Sequence, residues 1–145
     1  MKLLNFFRSH AVIKQLLFVL VLFALLIPTA IWDSNAQVKV QFSADIVNVK
    51  CDKFRMSVPY ADISSAELVP LAEAGDPMDN AFDNDIFRSG SWTNDAWGEY
   101  IIIADLDTTT CIKLDLQDGR TFLFSRKSDK ATAEDFEVLQ TYLTP

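Results

Sequence analysis

The sequence predicts a mainly β (α+β) protein. An N-terminal transmembrane helix leads into a small open barrel of seven or eight short antiparallel strands, capped by a C-terminal α-helix. Three observations carry this. Leu16 to Trp32 is an uncharged, almost wholly apolar run of seventeen residues. Beyond it, segment after segment alternates apolar with polar residues, the period-two signal of half-buried strands. Near the end, Phe136, Leu139 and Leu143 fall at i, i+3 and i+7, one apolar stripe of a helix that must pack on something.

The apolar run makes a helix of roughly 25 Å, or roughly 33 Å if extended back through Ala11. A bilayer core of about 30 Å lies between these lengths. The extension takes in Lys14, whose stem can snorkel to the interface, and Trp32 suits the aromatic belt at the other end. Pro28 near that end is tolerable in a membrane helix. A secretory signal has the same early grammar, and Ser34-Asn35-Ala36 offers small residues for cleavage after Ala36. The long charged region and long apolar stretch favour a retained signal-anchor over about residues 11–32. Lys2, Arg8 and Lys14 precede the run, while Asp33 and then Lys39 follow it. The positive-inside bias therefore places the N-terminus in the cytoplasm and the domain outside the cell membrane. Cleavage near Ala36 would instead release the domain as a secreted or periplasmic protein. Residues 1–36 are accordingly tail, anchor and linker, and residues 37–145 are one domain.

The strands follow in order. Val38 to Phe42 alternates, and Val47, Val49 and Cys51 repeat the pattern opposite Asn48 and Lys50. A Cys-Asp-Lys turn leads to Phe54–Val58, which Pro59 ends because it cannot donate to a ladder. "PYADIS" reads as a turn and "SAELV" as a short strand. "PLAEAGDPMDNAFDND" has no period and reads as a long loop. "IFRSGSW" reads as a strand broken at Gly90, and "GEYIIIAD" as a strongly apolar strand. In "TTTCIKLDL", Ile112, Leu114 and Leu116 share one face. Asp118-Gly119 before "RTFLFS" signals a type I′ hairpin turn. Thr132 is the expected N-cap of the closing helix, with Glu134, Asp135 and Glu137 at the positive end of its dipole. Cys51 should point inward and Cys111, with Lys113 and Asp115, outward, so the two should not form a disulfide.

Composition excludes several chemistries. Residues 37–145 carry ten Lys+Arg against nineteen Asp+Glu, a net charge of −9. Phosphate backbones repel such a domain, so nucleic acid is not an expected partner. The single histidine, His10, precedes the apolar run, and only two cysteines are present. No zinc cluster or His-based triad has material to be built from, and neither a cofactor nor an enzyme activity is expected.

"FRMSVPYADISSAELVP", then "FRSGSW", then "IKLDLQDGRTFLFS" and a terminal helix with Phe136 and Leu139 together resemble the bacterial pleckstrin-homology-like (PH-like) domains. The Tyr60-Ala61-Asp62-Ile63 turn and the Arg88-Ser89-Gly90-Ser91-Trp92 segment carry the likeness, which covers roughly Val38 to Leu143. It implies a bent antiparallel barrel of about seven strands closed by the C-terminal helix, and a membrane context. It carries no catalytic residues. One departure matters: many such proteins have two or more membrane helices and a cytoplasmic domain, whereas this chain has one.

The site candidates are few. Trp92 and Trp97, bracketing Thr93-Asn94-Asp95, are candidates for an exposed aromatic platform for a small ligand or peptide, against the commoner role of core packing. Asp76, Asp79, Asp83 and Asp85 lack the glycine and terminal glutamate of a calcium loop, so a solvated loop is expected and no metal. Ser125-Arg126-Lys127 with Lys130 is the only basic cluster read along the sequence of the domain, and reads as a solvated face before a helix. The expected protein is a membrane-tethered, non-enzymatic PH-like module. Its partners would be the lipid bilayer, through the N-terminal helix, and another membrane or envelope protein. The alternative is a small-ligand or peptide-binding module exported by a cleaved signal.

Overall fold

The computed structural model describes residues 15, 18–21, 37–71 and 75–144. Asn35–Pro145 forms one compact unit and Met1–Ser34 another. Within the first unit in chain order, residues 15 and 18–21 are helical, and Phe18, Val19, Leu20 and Val21 are exposed. The remainder of the expected membrane segment, 11–32, lies outside the described residues. Among the described residues no helix is long and apolar enough to cross a membrane.

Among its described residues the domain has ten strands and one helix: β1 (Lys39–Phe42), β2 (Ile46–Cys51), β3 (Phe54–Pro59), β4 (Ile63–Pro70), β5 (Asp76–Pro77), β6 (Phe82–Asp83), β7 (Phe87–Asn94), β8 (Gly98–Asp105), β9 (Thr110–Leu116), β10 (Thr121–Phe124) and α1 (Asp129–Leu143). A 3₁₀ turn, Tyr60–Asp62, joins β3 to β4. The strands form two sheets. The small one is an antiparallel meander, β1-β2-β3. The large one runs β4-β9-β10-β8-β7-β5, with β6 also paired to β7.

This corrects the expected barrel. The strands make two sheets rather than one closed antiparallel cylinder, and β10 pairs parallel with β8. The reason is the placement of β10. It turns back from β9 through a tight hairpin and enters the gap between β8 and β9. Periodicity reports which face a side chain takes, not which strand becomes the neighbour.

Alternation sorts the side chains as each strand pattern requires. Val47, Val49, Cys51 and Val58 of the small sheet meet Phe87, Ile103, Ile112, Leu114, Phe122 and Phe124 of the large one in a single core. Leu139 of α1 is fully buried in the same core, with Phe136 and Leu143 packed half-buried against it. The helix docks over β9 and β4, as its apolar stripe demands. It starts one turn earlier than expected. Ser128 is the N-cap, its Oγ accepting the Ala131 N–H at 3.2 Å. Thr132 lies inside the helix, buried, where its hydroxyl accepts the Arg126 N–H and donates to the Ser128 carbonyl, both at 3.0 Å.

The other face of the large sheet is also covered. Trp92, Tyr100, Ile102, Ala104, Cys111 and Leu123 form a second apolar cluster with Leu71, flanked by Val69, Ala81, Trp97 and Leu106. The segment expected to be a free loop supplies part of that cover, because β5 and β6 within it pair with β7. Two glycines permit the close approach. A Cβ on Gly90 (φ +95°) would stand 2.3 Å from the Asn80 carbonyl oxygen, and one on Gly75 would stand 2.1 Å from that of Thr93. Gly90 thus does not break its strand; β7 is continuous through it. Cys111 is corrected for the same reason. It does face away from the main core, but the second cluster buries it completely. Cys51 points inward as expected, and the two thiols lie in different clusters.

The Asp118-Gly119 turn is not type I′, which needs positive φ at both positions. Only Gly119 is left-handed (φ +88°). Its N–H donates to the Leu116 carbonyl at 3.0 Å, and Leu116 N–H donates to Arg120 at 2.8 Å, a three-residue loop closed by a glycine bulge. The Asp118 carboxylate holds the form by accepting the Arg120 N–H at 3.0 Å. At the opposite end of β9, Asp129 ties the first turn of α1 to the turn before β9. It accepts from the hydroxyls of Thr108, Thr109 and Thr110 and from two of their backbone amides. The Thr108 and Thr109 hydrogen bonds hold its carboxyl well below the usual carboxylate range.

Candidate functional site

The small sheet shows how an alternating sequence sorts charge. Val40, Val49 and Met56 are in register on the inner face, as are Phe42, Val47 and Val58. The intervening residues must then share the outer face. There Lys39 pairs with Lys50, and Lys50 with Arg55, one cation directly opposite the next across all three strands. Beside them runs a neutral polar row, Gln41, Asn48 and Ser57, in which Ser57 Oγ donates to Asn48 Oδ1 at 2.6 Å. Together these residues line a shallow groove of about 560 Å³. An adjoining depression of about 230 Å³ adds Gln37 and Asp52.

Lys39, Lys50 and Arg55 are all exposed, and among the described residues none of them is in an ion pair. Like charges directly opposite on a sheet destabilise it, by roughly 0.2–1 kcal/mol per pair. The row therefore costs the fold stability, and among the described residues no ion pair offsets it, although Asp52 lines the adjoining depression. Chemically it is a line of donors on a flat polar surface, suited to an anion.

This row was not legible as a motif. Its members are eleven and five positions apart in the chain, and only the register of β1, β2 and β3 aligns them. The signal available was the alternation itself: once both hairpins are registered on their apolar residues, the three cations must line up. The basic cluster visible along the chain is largely neutralised instead. Arg126 pairs with Asp135 at 3.1 Å, and Lys130 lies 3.8 Å from Glu134.

The tryptophans part company. Trp92 is 2% exposed, its indole N–H donating to the Ser89 carbonyl at 3.3 Å with the Arg88 guanidinium 4.3 Å over its ring. It presents no face to solvent. Trp97 is half-buried in the β7–β8 turn, edge-on to Tyr100 at 5.6 Å. The Lys113 ammonium sits 5.8 Å from its ring centre. Both belong to the second cluster or its margin, so they pack the outer side of the large sheet.

Lys113 anchors a second charged row, on that same side. Its Nζ is 2.8 Å from both Glu67 and Asp115. Asp115 also accepts from Ser65 at 2.8 Å and Thr121 at 3.1 Å. Burial alone would lower the Lys113 pKa and raise that of Asp115. The mutual hydrogen bonds outweigh it and move Lys113 up and Asp115 down.

In the acidic segment, Asp83 pairs with Arg88 at 3.1 Å. Among the described residues no group of three His, Cys, Asp or Glu side chains converges on a metal-sized site. Two titratable groups are buried near each other. Asp105 is 1% exposed, and burial pushes its carboxyl up. Burial, reinforced by the charges of Asp105 and Asp52, pushes the Cys51 thiol up to about 12. Burial thus favours the neutral form of both groups, whereas a nucleophilic thiol needs its thiolate favoured.

No family model matches the chain, no curated protein matches it, and no solved structure matches it.

Proposed function

We propose that this chain is a membrane-tethered, PH-like module that works by binding rather than by chemistry. In this reading residues 11–32 stay in the cell membrane as a signal-anchor, the N-terminus is cytoplasmic, and the domain serves another membrane or envelope protein as an accessory subunit. The observation that carries it is the uncharged run Leu16 to Trp32, preceded by Lys2, Arg8 and Lys14 and followed at once by a domain with its own core. The PH-like assignment is supported by the quoted motifs and by the terminal helix docked on the strands through Leu139. The non-enzymatic reading is supported by the composition, which leaves the domain without histidine, and by a Cys51 thiol that burial pushes up to about 12.

A C-terminal alkaline phosphatase fusion tests the topology, and alkaline carbonate extraction of membranes tests the tether. The expected outcome is an active fusion in the carbonate-resistant fraction. A silent phosphatase beside a working cytoplasmic reporter overturns the orientation. A second reading rests on Ser34-Asn35-Ala36: a small-ligand or peptide-binding domain released by cleavage. A mature mass beginning at Gln37 would select it.

A further inference from the structure

We infer that the groove between the start of β4 and the last turn of α1 is a docking site for an arginine side chain of a partner protein, held by the rings of Tyr60 and Tyr142 and the carboxylates of Asp45 and Asp62. The site belongs to the folded domain alone and stands whether or not the chain is membrane-tethered.

Two element ends build the groove. Tyr60 opens the 3₁₀ turn Tyr60–Asp62, and a register shift between Ile63 and Ser65 follows where β4 begins. Tyr142 and Leu143 come from the last turn of α1. With Ser64 and Ser65 they line an open groove of about 320 Å³, at the small end of ligand pockets, which run from roughly 300 Å³ upward. Tyr60 and Tyr142 stack at 4.7 Å with their planes 15° apart, and Phe42 lies 6.2 Å from Tyr142 on nearly the same plane angle. The Tyr60 hydroxyl donates to the Ser43 carbonyl at 3.0 Å, which fixes the aromatic wall in place. Tyr142 nevertheless stays 41% exposed. The groove opens at β4, the edge strand of the large sheet, where a chain can approach without displacing another strand.

Three sources of negative potential converge there. Aromatic faces attract cations. Asp45 and Asp62 flank the rings: the Asp45 carbonyl accepts the Tyr60 N–H at 3.0 Å, and Asp62 lies between the lining residues Ala61 and Ile63. Both acids are exposed, and among the described residues neither is in an ion pair. Finally, α1 ends here with no basic residue in its last turn, so nothing offsets the negative end of its dipole. Among the described residues no Lys or Arg lines the groove. Rings beside carboxylates suit a cation that is flat and carries an apolar stem. Arginine has both: its guanidinium stacks on an aromatic ring and forks to a carboxylate, while its methylenes cover apolar surface.

The test uses the full chain in detergent, with its three tyrosines carbon-13 labelled for NMR. Tyr100, 2% exposed in the second cluster, is the internal control. The probe is a capped pentapeptide, Gly-Ser-Arg-Ser-Gly, and its citrulline counterpart keeps the shape without the charge. The arginine peptide should shift the Tyr60 and Tyr142 signals saturably and leave Tyr100 still. The citrulline peptide should bind about two- to thirtyfold more weakly, the worth of a cation–π contact. Tyr142→Leu, read at Tyr60, should lose a similar factor, and Tyr142→Phe should restore it. Ala61→Arg supplies a cation from the chain itself and should abolish binding. Tyr142 and Ala61 both lie at the surface, so these variants should fold, which urea midpoints check. Asp79→Asn, beyond the opposite edge of the sheet, should change nothing. Unmoved Tyr60 and Tyr142 signals overturn the inference, as does citrulline bound as tightly as arginine or an Ala61→Arg variant that binds like the parent. An equal loss on Asp79→Asn would reduce the effect to general attraction by the net charge of −9, and tetramethylammonium bound as tightly as the peptide would make this a small-cation site; either result overturns the partner-protein assignment.

Discussion

The two sheets of this domain each carry a row of charge across neighbouring strands, and they treat it in opposite ways. On the large sheet, Glu67, Lys113 and Asp115 alternate in sign, Lys113 is only 8% exposed, and each ammonium–carboxylate distance is 2.8 Å. On the small sheet, Lys39, Lys50 and Arg55 share one sign and stand in water. The first row borders an apolar cluster built on Trp92 and Ile102; the second borders the polar side chains of Gln41, Asn48 and Ser57. A charge beside a core must be compensated, because desolvation without a partner costs several kcal/mol. A charge in water need not be. Compensation marks the row beside a core, and its absence marks the row in water.

The contrast can be broken at several points. The largest effect is expected in thiol reactivity on the two sides of the small sheet. At a pKa of about 12 against an ordinary 9.0, the Cys51 thiolate is about a thousandfold scarcer near neutral pH. Cys51 should therefore ignore a disulfide reagent that titrates Ser57→Cys on the outer face within minutes. Equal rates would mean that the small sheet does not cover its inner face.

Next is the second cluster. Trp92→Ala should cost about 3–5 kcal/mol in urea unfolding, the range for a large buried aromatic. Asn48→Ala on the solvated face should move stability by less than about 0.5 kcal/mol. If Trp92→Ala were as mild, the outer side of the large sheet would be no core at all.

Lys113→Ala should cost about 1–3 kcal/mol, since it strands two carboxylates that accept from a charged donor. The row also predicts a pH signature. Asp115, lowered on folding, contributes stability that is fully present above its unfolded pKa and lost as pH falls through its folded one. Lys113, raised on folding, contributes stability present below its unfolded pKa and lost as pH rises through its folded one. The parent should thus show an acid limb that Lys113→Ala shifts towards higher pH, as measured by urea midpoints across the acid range.

The smallest effect has the opposite sign. Lys50→Glu places an anion between Lys39 and Arg55 and converts two repulsive pairs into attractive ones, so it should stabilise by up to about 1 kcal/mol. Urea midpoints measure it, and a loss of stability would mean that the three cations do not repel one another across the sheet.

The sequence by itself determined what depends on neighbours a few positions away. The faces of β1, β2, β3 and β9 follow from strict alternation, and the stripe that docks α1 follows from the 3.6-residue repeat. Strand β8 follows from an unbroken apolar stretch. The basic row was implicit at this level but visible only after two hairpins were registered. Tertiary structure alone decided what depends on residues far apart. Strand β10 lies between β8 and β9 because that gap accepts its two apolar faces. Cys111 and Trp92 are buried in a cluster completed by Leu71 and Ala81, far from Cys111 in the chain, and Gly75 and Gly90 permit the close approach of that segment to β7. Periodicity assigns a side chain to a face; only the packed chain determines whether that face meets water, another sheet or a covering segment.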